Sequence, residues 1–158
     1  FQQCGGFDCN PIPIEITYGL ERIAMYLQRV DHFKDIKWVE GYTYEDVYMR
    51  NEKEQAAASF EYYNTEKLFE LFVSTEEECK QLADKGLAMP AYDQCIRSSH
   101  LFNLLDARGA ISVADRAQYI KRIRNLALAC ATAWEEGERV SANQSNEENS
   151  VKIEETAQ

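Results

Sequence analysis

Between Thr43 and Cys130 the apolar residues recur at helical spacing in four successive runs separated by short polar breaks, and this pattern restricts the fold most. Thr43-Tyr-Glu-Asp46 has the form of a capping box and opens a helix reaching about Phe60. A second run starts after Asn64-Thr65, carries Leu68, Phe69, Phe72 and Val73, and ends near Gly86. Pro90 suits the first turn of a third helix, whose buried face is expected to hold Tyr92, Ile96, Ser99 and Leu101 to Leu105. Ser112 and Asp115 cap a fourth, with Ile120, Ile123, Leu126, Ala127 and Cys130 along one side. Four helices with short connections predict bundle-like packing and a mainly α fold.

The N-terminal residues follow a different period. Phe1 to Cys9 reads as a strand loosened by Gly5 and Gly6, and Asn10-Pro11 marks a turn into a second extended run. From Ile12 to Thr17 the alternation sets Ile12, Ile14 and Ile16 on one face and Pro13, Glu15 and Thr17 on the other, which predicts a short antiparallel pair. After Gly19 the period changes to that of a helix through Leu20, Ile23, Ala24, Leu27 and Val30, ending near Asp31. A connector with Trp38 and Val39 follows. From Gly137 the chain is polar, acidic and aperiodic, so it is expected to be a disordered tail. The expected organisation is a strand-and-helix segment at 1–31, a helical domain at 32–136 and a tail at 137–158.

Charge narrows the partners. Seventeen Lys and Arg against 27 Asp and Glu leave a net charge of -10, which gives no general attraction to nucleic acid. No apolar run of about 18 residues exists to cross a membrane, and no basic-then-apolar leader opens the chain, so a soluble, cytoplasmic protein is expected. The five cysteines are odd in number and lack the close pairing of zinc sites, so free thiols and no metal centre are expected. The first residues, beginning at Phe1, read like the inside of a sheet, as in part of a longer protein.

The change of period at Gly19 is where chemistry concentrates. Glu15 and Thr17 lie one pleat apart, and the helix starts beside them with free N–H groups and Arg22 in its first turn. An anion such as a triphosphate suits that helix start, because the guanidinium is planar and fixed. Glu15 would hold a cation, either an ammonium group or a magnesium ion carried by phosphate. The competing reading is a solvent-facing Glu15–Arg22 ion pair.

The stretch "EITYGLERIAMYLQ" resembles motif 3 of a class II aminoacyl-tRNA synthetase. The longer matches "FQQCGGFDCNPIPIEITYGLERIAMYLQ", "TYEDVYMRNEKEQAAASFEYYN" and "SHLFNLLDARGAISVADRAQYIKRIRNLA" are similar to the alpha subunit of the bacterial heterotetrameric glycyl-tRNA synthetase, over residues 1 to about 136. That resemblance implies an antiparallel-sheet active site in which glycine and ATP, with its Mg2+, form glycyl-adenylate before transfer to tRNA(Gly). It implies as partners a second alpha subunit and a beta subunit that carries most tRNA recognition. Position by position, it makes Arg22 the catalytic, ATP-contacting arginine and Gly19 the glycine that lets the nucleotide approach. It makes Glu15 the acidic residue facing the amino group of glycine, with Thr17 beside it in the glycine pocket, and leaves open whether Glu21 faces the site. Motifs 1 and 2 would precede Phe1, so the isolated chain is expected to be inactive. The alternative is a non-catalytic helical interaction module derived from such a synthetase.

Other polar residues read as structural. The row Lys121, Arg122 and Arg124 is expected to be a solvated face. Asp106 and Arg108 are expected to pair and stabilise a loop, and His32 and His100 to be packed or capping. The aromatic residues Phe60, Tyr62, Tyr63, Phe69 and Phe72 are expected in a core or a subunit contact.

Overall fold

The structure, a computed structural model, describes residues 1–156, with side-chain surroundings through residue 140. It is mainly helical, with two small antiparallel strand pairs. The chain groups into two compact units, Phe1–Pro13 with Thr65–Gln158, and Ile14–Asn64.

In the first unit, β1 (Gln3–Cys4) pairs with β2 (Phe7–Asp8), Gln3 opposite Asp8 and Cys4 opposite Phe7. Gly5 and Gly6 form the turn at φ +62° and +103°, a region that favours glycine. The pair therefore lies inside the run expected to be a single strand. The helices α3 (Thr65–Asp84), α4 (Ala88–Ala107) and α5 (Val113–Thr156) make the bundle. After α3, Gly86 takes φ +73°; its N–H donates to the Ala83 carbonyl and that of Leu87 to Leu82. Gly109 closes α4 in the same way, with Ala110 N–H donating to the Leu105 carbonyl. Ser112 and Asp115 cap α5 as expected: the Asp115 N–H donates to the Ser112 hydroxyl at 3.1 Å, and that hydroxyl donates to the Asp115 carboxylate at 2.6 Å.

The core of the bundle has two ends of different composition. One gathers Cys79, Ala83, Ala91, Cys95, Leu126, Cys130 and Ala133, small side chains that let the helices approach closely. The other is bulky, with Leu68, Phe72, Phe102, Leu104, Leu105 and Ile111, and Tyr119 packed against it. On α4 the buried positions are Ala91, Cys95, Ser98, Phe102, Leu104 and Leu105, whereas Tyr92 and Ile96 are exposed; the expected Leu101–Leu105 stretch is borne out, and in the first half of the helix the face is turned by one residue. Small residues line this face where α3 and α4 approach closely, and Ser98 can be buried there because its hydroxyl is satisfied by the Gln94 carbonyl at 3.0 Å and by Thr75 of α3 at 2.9 Å. Val73 of α3 is likewise exposed.

The second unit contains α1 (Leu20–Gln28), β3 (Lys37–Val39), β4 (Tyr42–Thr43) and α2 (Arg50–Ala57), with π-helical turns on both sides of α2. Arg29 ends α1 at φ 57°, its N–H and that of Val30 donating to Tyr26 and Met25. The connector folds as a 3-10 turn, Phe33–Asp35, and the β3–β4 hairpin around Gly41. Gln28 ties this hairpin to α1, accepting from Lys37 N–H at 2.7 Å and donating to its carbonyl at 3.1 Å. The Thr43–Asp46 box forms, with Thr43 N–H and hydroxyl both donating to Asp46 at 2.8 Å.

Two expectations fail here. Ile12–Thr17 is not a strand, and Ile14 and Ile16 are exposed. An alternating segment becomes a strand only where a neighbour takes its backbone groups, and β1 pairs with β2 instead. The helical run expected to begin the four-helix bundle lies in this unit and buries none of its residues, so the bundle is built from α3, α4 and α5. Its central part, α2, with the sequence "RNEKEQAA", has no apolar stripe to bury. The polar tail expected at 137–158 falls mostly outside the described side chains.

Candidate functional site

Glu15, Thr17, Gly19 and Arg22 all lie in the second unit, on the exposed segment before α1 and in its first turn. Thr17 donates its hydroxyl to the Glu15 carboxylate, so the structure brings these two together. That bond takes one carboxylate oxygen and fixes the side chain; the other oxygen can accept from a ligand. Among the described residues the partner of Glu15 is thus Thr17, not Arg22.

Gly19 is the N-terminal flanking residue of α1 and supplies no side-chain cap. The Ile23 N–H bonds to its carbonyl at 3.2 Å, which leaves the N–H groups of the first turn facing outward for an acceptor. At φ -67° the backbone does not demand glycine. Nor does space: a Cβ there would meet the stem of Arg22 at 3.8 and 3.9 Å, an ordinary contact. Arg22 is exposed, and its stem lies back along Gly19. Glu21, in the same turn, acts on Tyr44: desolvation first, then Glu52 and Glu21, push that phenol above its ordinary pKa. Tyr44 belongs to an aromatic cluster, edge-on to Phe33 and Trp38 and tilted against Tyr48.

Elsewhere the structure corrects some of the polar assignments and bears out others, among them the capping role of His32 and the exposure of Lys121 and Arg124. Arg122 is not on a solvated face. It donates from Nε to Glu76 Oε1 at 3.1 Å and from Nη2 to Oε2 at 2.5 Å, and its guanidinium lies over the rings of Phe72 at 4.5 Å and Tyr119 at 4.8 Å. Glu76 is 6% exposed, and Arg122 holds its carboxyl below the ordinary range despite burial. Lys121 and Arg124 are exposed. Sequence periodicity could have found the Glu76 half of this pair, because Glu76 falls on the Leu68–Phe72–Cys79 stripe of α3. Asp106 is engaged by Arg116 at 3.1 Å. His32 caps the 3-10 turn, its Nδ1 accepting from Lys34 N–H at 3.2 Å, and His100 is exposed beside Thr75 and Arg97. Of the aromatic row, Phe72 is fully buried, whereas Phe60 and Tyr62 are exposed. All five cysteines are free, and no group of three metal-ligating side chains assembles among the described residues. Among the same residues no helix is long and apolar enough to cross a membrane.

The family match over residues 1–139, and not the geometry of α1 or the bundle, places the chain among the aminoacyl-tRNA synthetases, ligases of protein biosynthesis. More narrowly, residues 1–139 match the family described as the glycyl-tRNA synthetase alpha subunit, and the chain belongs to that family.

Proposed function

We propose that Glu15, Thr17, Gly19 and Arg22 form one wall of the site where glycine and ATP condense to glycyl-adenylate, within a glycine–tRNA ligase of alpha and beta subunits that charges tRNA(Gly). In that reaction the glycine carboxylate attacks the alpha-phosphorus and pyrophosphate leaves. Arg22 holds phosphate oxygens, and the outward N–H groups of the first turn of α1 add donors to the same anion. Glu15, steadied by Thr17, receives the ammonium of glycine. Magnesium enters with the nucleotide and neutralises phosphate charge; Glu15, an exposed oxygen donor, suits an ammonium or a hard cation equally.

The observation that carries this reading is Gly19. Its backbone angle and its neighbours would both accept a side chain. Glycine is an ordinary residue at a helix N-terminus, and here its missing side chain also leaves the backbone open to an approaching ligand. The test is Glu15→Gln in the complete synthetase, with glycine-dependent exchange of pyrophosphate into ATP as the readout. Losing a charge-assisted contact to the ammonium should raise the KM for glycine about tenfold to a hundredfold and leave the KM for ATP within about twofold. An unchanged KM for glycine removes Glu15 from the pocket.

A further inference from the structure

Four of the five thiols gather at one end of the bundle. Cys79 on α3 and Cys130 on α5 are buried with their Sγ atoms 3.7 Å apart. Cys95 on α4 belongs to the same buried group. Cys4 sits on the hairpin that Gly5 presses against α5, where a Cβ would lie 2.5 Å from the Arg124 carbonyl oxygen. Cys4 is half-buried, and with Cys130 it lines an apolar hollow of about 190 Å³ walled by Met89, Tyr92 and Trp134. Nothing in the adenylation chemistry uses these sulfurs.

We propose that Cys79 and Cys130 are an oxidisable dithiol that a low-molecular-weight disulfide converts into a cross-link between α3 and α5, with Cys4 as the point of entry. The two sulfurs are already about at van der Waals contact, 3.7 Å apart on neighbouring helices, which is the approach a disulfide starts from. Cys4 is the reachable member. Burial raises Cys130 to about 12 and Cys95 to about 11, which keeps both as thiols and slow toward an oxidant in bulk solution. Inside the hollow, proximity to Cys4 offsets that slowness.

The sequence of steps balances. Cys4, as thiolate, attacks one sulfur of the small disulfide, whose S–S bond breaks; one half leaves and takes the proton. Cys130 then attacks the Cys4 sulfur, expelling the second small thiol, and Cys79 attacks the Cys130 sulfur, which restores the Cys4 thiol. Overall two protein thiols lose two electrons and two protons, and one small disulfide becomes two small thiols.

Oxidised glutathione is the probe. The purified full chain is incubated with it, denatured, alkylated and mapped by mass spectrometry, with Cys9, outside the buried group, as the internal control. A linked Cys79–Cys130 peptide is expected, with an upward shift of several degrees in the unfolding midpoint that a reductant reverses. Cys4→Ser should slow formation of the link at least about tenfold without changing its identity. Full alkylation of Cys79 and Cys130 after prolonged oxidation overturns the proposal, as does a Cys95–Cys130 or Cys4–Cys9 link in their place. An unchanged rate in Cys4→Ser overturns the entry route.

Discussion

Replacing Glu76 with Gln would test how far the bundle depends on a polar pair inside it. Glu76 is 6% exposed and accepts two hydrogen bonds from Arg122, with Lys80 a further 3.2 Å from Oε1. The amide keeps the shape and loses the charge, which strands the Arg122 guanidinium between Phe72 and Tyr119. Breaking a fully buried pair costs about 3 to 5 kcal/mol. The Arg122 side chain is 33% exposed and can draw partly on water, so the discounted expectation is about 2 to 3 kcal/mol. On a chain of this size that lowers the thermal midpoint by roughly 5 to 10 °C. Glu76→Met with Arg122→Met removes both charges and should cost less than the sum of the two single changes by about 2 kcal/mol. Urea unfolding of the four proteins measures this cycle. Single changes below about 0.5 kcal/mol, or strict additivity, would refute the account of the pair.

Acid sharpens the same point. Glu76 titrates below its ordinary value of 4.5, so its contribution is fully present above that pH and is lost as pH falls through the folded value; Glu76→Gln should flatten the acid limb of a stability-versus-pH curve. Gly5→Ala meets both the φ of +62° and the α5 backbone, and should cost about 2 kcal/mol or more by thermal unfolding. Arg29→Gly relieves the left-handed residue that ends α1 and should stabilise the second unit by about 0.5 to 1 kcal/mol in hydrogen exchange. Gly19→Ala should leave stability within about 0.5 kcal/mol while weakening use of ATP by the complete synthetase, a separation that a purely structural glycine would not show.

Helix ends were the most readable part of the sequence. Ser112 with Asp115, Thr43 with Asp46, and the glycine at 86 act through local hydrogen bonds that a few neighbouring residues determine. Strand pairing was less readable, because alternation at Ile12–Thr17 records which residues share a face and not which neighbour supplies the ladder. The first half of the buried face of α4 was misjudged for a related reason: Tyr92 and Ile96 are larger than Ala91 and Cys95, but close helix approach favours the small residues. The Glu76 half of the polar pair was legible, since it falls on the apolar stripe of α3, but its partnering with Arg122 was not, because the two are 46 residues apart on different helices. The proposed site was read from the residues around Gly19, whose role depends on an approaching ligand rather than on internal packing.

The most direct measurement is glycine-dependent pyrophosphate–ATP exchange by the complete synthetase carrying Arg22→Ala. Arg22 is exposed, so stability should be unchanged. Loss of one preorganised donor to the phosphates should remove about 2 to 4 kcal/mol of transition-state stabilisation, a fall in kcat/KM for ATP of roughly thirty- to a thousandfold. Exchange at the unaltered rate, with the protein fully folded, would contradict the placement of ATP at the start of α1.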